Sequence, residues 1–204
     1  NSMDLQLEGR RALVTGAHRG TGEVIARRLA EEGAQVLVHG FDRADAERVA
    51  GTIPGARAVA GDPMDDAGAD ALWAEATREG PLQVLVNNYG RASRGTLAAP
   101  TAEWLRMYEE NVLSAARLIG HALPAMRAER WGRIVNLGTA GSTRPNAENP
   151  HYYAAKGALA TLTVSVAKAA AGSGVTVNLV SPGLVRTAEV EAWLRGLARE
   201  RGWG

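Results

Sequence analysis

The stretch RALVTGAHRGTG, residues 11–22, sets a short apolar run directly against three glycines. Arg11 to Thr15 reads as a buried strand, and Glu23 to Glu32, with Val24, Ile25 and Leu29 on one side, reads as an amphipathic helix that Gly33 stops. Between them, glycine lets the backbone turn tightly, lets phosphate oxygens approach main-chain N–H groups and lets the helix pack close to the strand. The helix N-terminus then presents partial positive charge to whatever lies over the turn. Gly16, His18, Arg19, Gly20, Thr21 and Gly22 are therefore candidate residues for holding a dinucleotide pyrophosphate. Their spacing is Gly-x3-Gly-x-Gly, not the Gly-x-Gly-x-x-Gly of the usual dinucleotide fold.

The same alternation continues outward. Gln35 to His39, Arg57 to Ala60, Leu82 to Val86, Arg133 to Leu137 and Val175 to Val180 read as strands. Helical patterns separate them at Asp45–Ala50, Ala67–Arg78, Ala102–Arg130 and His151–Ala171, and a last one runs over Glu189–Arg201. Pro124 is expected to bend or end the long third-quarter helix near that point. Apolar strands alternating with helices predict an α/β fold: a doubly wound, Rossmann-like parallel sheet, three-layered, in one domain spanning residues 1–204. Asn1-Ser2-Met3 reads as a cloning remnant ahead of an initiator methionine.

Composition excludes several function classes. The net charge is +1 with both signs scattered, which gives no footprint for nucleic acid or an anionic membrane surface. No apolar run has the length of a transmembrane helix, no leader is visible, and the expected location is cytoplasmic. There is no cysteine, hence no disulfide, thiolate metal site or cysteine nucleophile. The four histidines, His18, His39, His121 and His151, have no metal-site spacing and read as local hydrogen-bonding groups. Of 23 basic residues only Lys156 and Lys168 are lysines, so each lysine calls for an explanation.

Further motifs follow in order. Asp62-Pro63 comes after the third strand and Asn87-Asn88-Tyr89-Gly90 after the fourth. Asn111 lies in the long helix, Tyr152-x-x-x-Lys156 opens the next, and Pro182-Gly183 follows the sixth strand. With the Thr-Gly start of the glycine turn, this series resembles the classical short-chain dehydrogenases/reductases. The resemblance implies that Asp62 and Pro63 bind the adenine side of the cofactor, and that Asn88, Tyr89 and Gly90 lie along it. It further implies that Pro182, Gly183, Val185 and Thr187 form the nicotinamide-side loop, and that Asn111 serves a proton relay. Tyr89 departs from the family's alanine, and a tyrosine fits there only with its ring turned away from the cofactor's path. At the end of strand two, Gly40 stands where relatives that prefer NAD carry an acid, while Arg19, with Arg43 assisting, would suit a phosphate. Phe41 occupies the place where NADP-using relatives often have arginine, and Asp42 reads equally as an N-cap. The balance favours NADP, with NAD possible.

Tyrosine near its reference pKa of about 10 is a poor acid or base at neutral pH, and a lysine ammonium four residues on would favour its phenolate. Tyr152 is thus the expected general acid/base and Lys156 its tuner and the holder of the nicotinamide ribose. Tyr153, adjacent, lacks that spacing. The family's serine is replaced by Thr139, which keeps a hydroxyl to polarise a carbonyl, with Ser142 as fallback. The expected activity is hydride transfer between a nicotinamide and a carbonyl or alcohol. The alternative is a catalytically weak NADP-binding sensor or scaffold, which Thr139 and Tyr89 would fit. Relatives are usually homodimers or homotetramers built on two long helices, for which Leu113, Leu118, Leu159, Leu162 and Val166 are candidates here. Trp193 and Trp203 fall in the segment from 188 onward, read as the start of a substrate lid, and hint at a bulky apolar ligand. The C-terminal helix and edge strand of relatives are expected to be lacking from this chain.

Overall fold

Six short strands pair side by side in the computed structural model, which describes residues 4–185 and 188–203. They are β1 (Arg11–Val14), β2 (Gln35–Gly40), β3 (Arg57–Ala60), β4 (Val84–Asn87), β5 (Gly132–Leu137) and β6 (Val175–Val180), all parallel in the order β3-β2-β1-β4-β5-β6. The helices are α1 (Gly20–Glu31), α2 (Arg43–Ala50), α3 (Asp66–Thr77), α4 (Thr101–Tyr108), α5 (Ser114–Ala128), α6 (Pro150–Ala169) and α7 (Ala188–Arg201). This is the Rossmann-like doubly wound sheet that the alternation predicts. No helix among the described residues is long and apolar enough to cross a membrane.

Register explains the layers. Leu37, Leu13, Leu85, Ile134 and Val177 stand abreast across five strands and bury one face against Leu72 and Ala76 of α3 and Leu118, Ala122 and Met126 of α5. The alternate residues Val14, Val36, Val38, Val84 and Val86 bury the opposite face against Ala26 of α1 and Val49 and Ala50 of α2. Burial on both faces is what parallel strands joined by helical crossovers require. Asp42 caps α2, accepting from the N–H groups of Ala44 (2.8 Å) and Asp45 (3.3 Å).

Two expectations are corrected here. Pro124 does not end the long helix: α5 runs through it to Ala128, and the carbonyl it would leave without a donor belongs to exposed Gly120, open to water. The irregularity falls earlier, in a π-helical turn at Glu109–Leu113. There the Asn111 side-chain amide donates to the Met107 carbonyl (3.0 Å) and the Ser114 hydroxyl to the Glu110 carbonyl (3.1 Å), so side chains serve carbonyls at the wide turn. The second correction concerns the expected subunit face. Leu118 and Leu159 are each 1% exposed, and Leu162 and Val166 pack against buried clusters, because Leu118 and Val166 are taken up by the sheet-side core and Leu159 and Leu162 by packing among Met107, Val112 and Ala115. Exposed apolar side chains on α4, the π turn and α6 include Leu105, Leu113 and Val164.

One histidine ties three strands together. The Gly16 N–H donates to His39 Nδ1 (3.0 Å), so Nε2 carries the ring proton and donates to the Gly61 carbonyl (3.0 Å). The His39 carbonyl in turn accepts from the Ala17 N–H (2.8 Å). Burial holds the fully enclosed imidazole neutral and lowers its pKa from 6.5 to about 4. Between these values the unfolded chain binds the extra proton and the folded chain does not, so stability is lost as pH falls from 6.5 towards 4. The shift corresponds to about 3 kcal/mol over the whole window. Urea unfolding of the wild type and His39→Asn across that window should show a steeper acid loss in the wild type. Parallel pH dependences would contradict the assignment.

Candidate active site

The strand order reverses between β1 and β4: the chain runs outward through β2 and β3 before returning to the other side of β1. Ligands of open α/β sheets lie in the crevice beyond the carboxyl ends of the strands at such a point. The glycine turn sits there. Gly16 has φ +62°, a conformation costly for other residues, and Gly20 opens α1 with Thr21 after it. Arg19 precedes them as an extended N-cap. A Cβ on Gly22 would stand 2.5 Å from both Asn88 Nδ2 and the Gly16 carbonyl, so only glycine fits. Asn88 Nδ2 donates to the carbonyls of Thr15 (2.9 Å) and Gly16 (3.3 Å), while the Tyr89 N–H donates to Thr15 Oγ1 (3.0 Å). Asn88 thus laces the β4 loop to the turn and spends its amide there. A tight turn with positive-φ glycine, opening a helix and free of a Cβ at Gly22, fits a dinucleotide pyrophosphate.

The remaining expected cofactor residues divide. Pro63 is buried, and its carbonyl accepts from Arg117 Nη1 (3.2 Å); Asp62 is exposed, its carboxylate accepting the Met64 N–H (3.0 Å). Arg43 is turned away from the glycine turn, to Glu75 of α3 (2.6 Å), whose other oxygen accepts the Ala60 N–H (3.3 Å). Phe41 and Tyr89 pack ring against ring, centroids 4.8 Å apart and tilted by 60°, joining the ends of β2 and β4 across the β1 turn. Tyr89 therefore turns its ring toward the β2 end, and burial pushes its phenol up to about 12. Pro182 is tied to the β5 end, its carbonyl accepting the Ala140 N–H (3.1 Å), with Gly183 and Val185 following. Arg186, Thr187 and the Trp193 side chain lie outside the described residues. A cleft of about 420 Å³ next to this loop is lined by Leu184, Val190, Glu191, Leu194 and Arg195; Trp203 is not among its walls, and the Arg201 guanidinium lies over that ring at 5.2 Å.

On the other side of the turn the four expected catalytic residues come together. Thr139, two residues past β5, accepts the Gly141 N–H (3.2 Å) on its hydroxyl oxygen, and that hydroxyl faces the Tyr152 phenol. Lys156, one helical turn below Tyr152 on α6, is buried and donates to the Leu137 carbonyl (2.7 Å). A Cβ on Gly90 would stand 2.6 Å from Asn111 Oδ1 and 2.9 Å from Lys156 Nζ, so the missing side chain is what lets both polar ends approach the same point. Asn111 is fixed by every polar atom it has: Nδ2 donates to the carbonyls of Arg91 (2.9 Å) and Met107, and Oδ1 accepts the Arg91 N–H (3.1 Å). Tyr153 lies instead against Gly141, and the Ser142 hydroxyl is buried without a hydrogen-bond partner among the described residues.

Burial pushes the Tyr152 phenol up, with the Thr139 hydroxyl pulling the other way. Burial brings Lys156 down from 10.5 to about 8. Two contacts here carry no motif in the sequence. His151, fully buried beside Tyr152, pairs its Nε2 with the Ser93 hydroxyl (3.1 Å) and so pins the loop after Gly90. Glu110, in the π turn, is buried with one oxygen unpartnered among the described residues, and burial raises its carboxyl.

Comparison with known proteins places this arrangement. The family model described as short chain dehydrogenase matches residues 10–196. An uncharacterized oxidoreductase, YvrD of Bacillus subtilis, is 35% identical over 98% of this chain and 78% of its own length. The 3-oxoacyl-[acyl-carrier-protein] reductase FabG of Vibrio cholerae is 36% identical over 90% of this chain and 76% of its own. Among solved structures, L-sorbose reductase of Gluconobacter frateurii, complexed with NADPH and L-sorbose, superposes with a TM-score of 0.92 at 27% identity, over 98% of this chain and 79% of that one. The 3-ketoacyl-(acyl-carrier-protein) reductase of Brucella melitensis, complexed with NADH, gives 0.85 at 30% identity, over 91% and 80%. With matched relatives, a matching family model over nearly its whole length and a shared fold, the chain belongs to the short-chain dehydrogenase family.

Proposed function

We propose that this protein is an NADP-dependent reductase of small carbonyl compounds, able to run the reverse oxidation, with NAD as a weaker cofactor. The observation that carries the reading is the meeting of Thr139, Tyr152, Lys156 and Asn111 beside a turn shaped for a pyrophosphate. NADPH complexed with one structural neighbour and NADH with another agree with it. When bound, the nicotinamide supplies the hydride. Thr139, whose oxygen already accepts the Gly141 N–H, has its own O–H to give to the substrate carbonyl oxygen. Tyr152 delivers the proton to that oxygen as negative charge develops on it. Because burial lifts this phenol, its protonated form dominates at neutral pH, which suits reduction over oxidation. Lys156, charged below about pH 8, offers its remaining N–H groups to the ribose hydroxyls, and a water held between it and Asn111 would resupply the proton.

A second reading is favoured by one contact. The Phe41–Tyr89 pair stands across the adenosine side of the crevice, and a chain that held it shut would bind nucleotide weakly and act as a sensor or scaffold. Homodimeric or homotetrameric assembly belongs to the first reading, through Leu105, Leu113 and Val164, and a monomeric mass in solution would remove it.

Tyr152→Phe is expected to keep NADPH binding and lose about a hundredfold or more in reductive turnover, measured by NADPH absorbance against a ketone panel. In the wild type the same rate should be level through neutral pH and fall above about pH 8, as Lys156 loses its charge. Unchanged turnover in the variant would take Tyr152 out of the role.

A further inference from the structure

Two tyrosines stand side by side in the first turn of α6, and only Tyr152 has a part in the proposed chemistry. Their ring centroids lie 5.5 Å apart, tilted by 56°. Tyr153 sends its ring to Gly141, the middle residue of a single 3₁₀ turn, Ala140–Ser142, that follows Thr139. A Cβ on Gly141 would collide with the edge of that ring, at Cδ1, Cε1 and Cζ. Gly141 does not have a positive φ, so glycine is required there by space and not by conformation. Local hydrogen bonds shape the turn: the Ser142 N–H donates to the Thr139 carbonyl (3.1 Å) and the Thr143 hydroxyl to the Ala140 carbonyl (3.0 Å). Against them stands the Ser142 hydroxyl, buried with no partner among the described residues, which disfavours the conformation. Two outside contacts fix where the turn sits. On one side the Ala140 N–H donates to the Pro182 carbonyl (3.1 Å), and on the other the Tyr153 ring rests on Gly141.

We propose that Tyr153 is a positioning residue whose ring, seated on Gly141, holds the Thr139 hydroxyl in the direction a substrate carbonyl oxygen requires. The inference rests on the reductase reading above. Thr139 is β-branched and has few χ1 choices. In the one it adopts, its hydroxyl oxygen accepts the Gly141 N–H (3.2 Å), so the position of Gly141 decides where the hydroxyl stands. The same helix end therefore carries the proton donor, Tyr152, and sets the partner hydroxyl against it through the next residue along. Lys156 adds a second tie between α6 and the end of β5 by donating to the Leu137 carbonyl (2.7 Å). Tyr153 is the tie that reaches past the strand to the turn itself. A shift of about 1 Å in such a pair is enough to lose on the order of a hundredfold in rate.

The test measures the Thr139 rotamer and turnover separately. With isotope-labelled threonine in the full chain, the three-bond NMR couplings from Thr139 Cγ2 to its own N and carbonyl carbon report χ1 without any substrate. A single rotamer is expected in the wild type and in Tyr153→Phe, whose ring carbons can make the same contact, and averaged couplings in Tyr153→Ala. Gly141→Ala, which crowds the ring from the other side, should average them too and carries the test if Tyr153→Ala does not fold. With NADPH and a ketone, Tyr153→Ala should lose about ten- to hundredfold in kcat at an NADPH Kd within about twofold, while Tyr153→Phe stays within about twofold in both. In a Thr139→Ala background the loss from Tyr153→Ala should vanish, because Tyr153 acts through that hydroxyl. A single rotamer retained in Tyr153→Ala and Gly141→Ala would overturn the proposal. So would a Tyr153→Ala loss of equal size with and without the Thr139 hydroxyl, or an equal loss in Tyr153→Phe. A wild type that reduces no ketone would remove the reductase reading instead, and the couplings would still decide whether Tyr153 holds Thr139.

Discussion

The buried imidazole of His39 is the constraint on which the nucleotide end of this molecule depends. A main-chain N–H cannot be buried without an acceptor, and the turn after β1 exposes Gly16 N–H to the interior of the sheet edge. Neutral His39 meets that need on one side and satisfies the Gly61 carbonyl after β3 on the other, so a single side chain fixes the relative positions of three strand ends. Asn88 does the same from the opposite flank, holding the Thr15 and Gly16 carbonyls to the β4 loop. Between them the turn is clamped at both edges.

The catalytic end follows the same logic with different means. The π turn widens the α4–α5 rod at one place, and Asn111 uses its amide to repair the main chain while its Oδ1 lies over Gly90. Gly90 leaves room for the ends of Asn111 and Lys156 by having no side chain. Lys156 is buried on a single carbonyl acceptor, an arrangement that lowers its pKa and costs stability. Such a cost is tolerated where a charge must be held close to chemistry.

What the sequence made legible was local. The period of the apolar runs revealed each strand and helix, and Asp42 before α2 was readable as a cap because capping spans three residues. Tyr152 and Lys156 share a helix face, so their spacing alone brings them together. What escaped depended on distant partners. Arg43 reads as a phosphate ligand until Glu75, 32 residues on, is seen to hold it. Pro124 is a strong local signal for a break, yet the break falls at Asn111, where side-chain hydrogen bonds replace regular winding. The expected subunit leucines are apolar and periodic as predicted, but periodicity cannot say whether a stripe meets its own chain or another subunit, and Leu118 and Leu159 are buried within their own chain. Tyr89 stands out as an aromatic in a loop, but its contact with Phe41 bridges two strand ends that only the fold brings near.

Transfer of hydride from a reduced nicotinamide cofactor onto a carbonyl is the chemistry proposed for this chain. The most direct measurement uses NADPH deuterated on each face of the nicotinamide C4 in turn, incubated with a panel of ketones, with the products read by mass spectrometry. One deuterium on the carbinol carbon of a product, delivered from one face only, is the predicted result. Binding of the labelled cofactor with no deuterium in any product across the panel would contradict it.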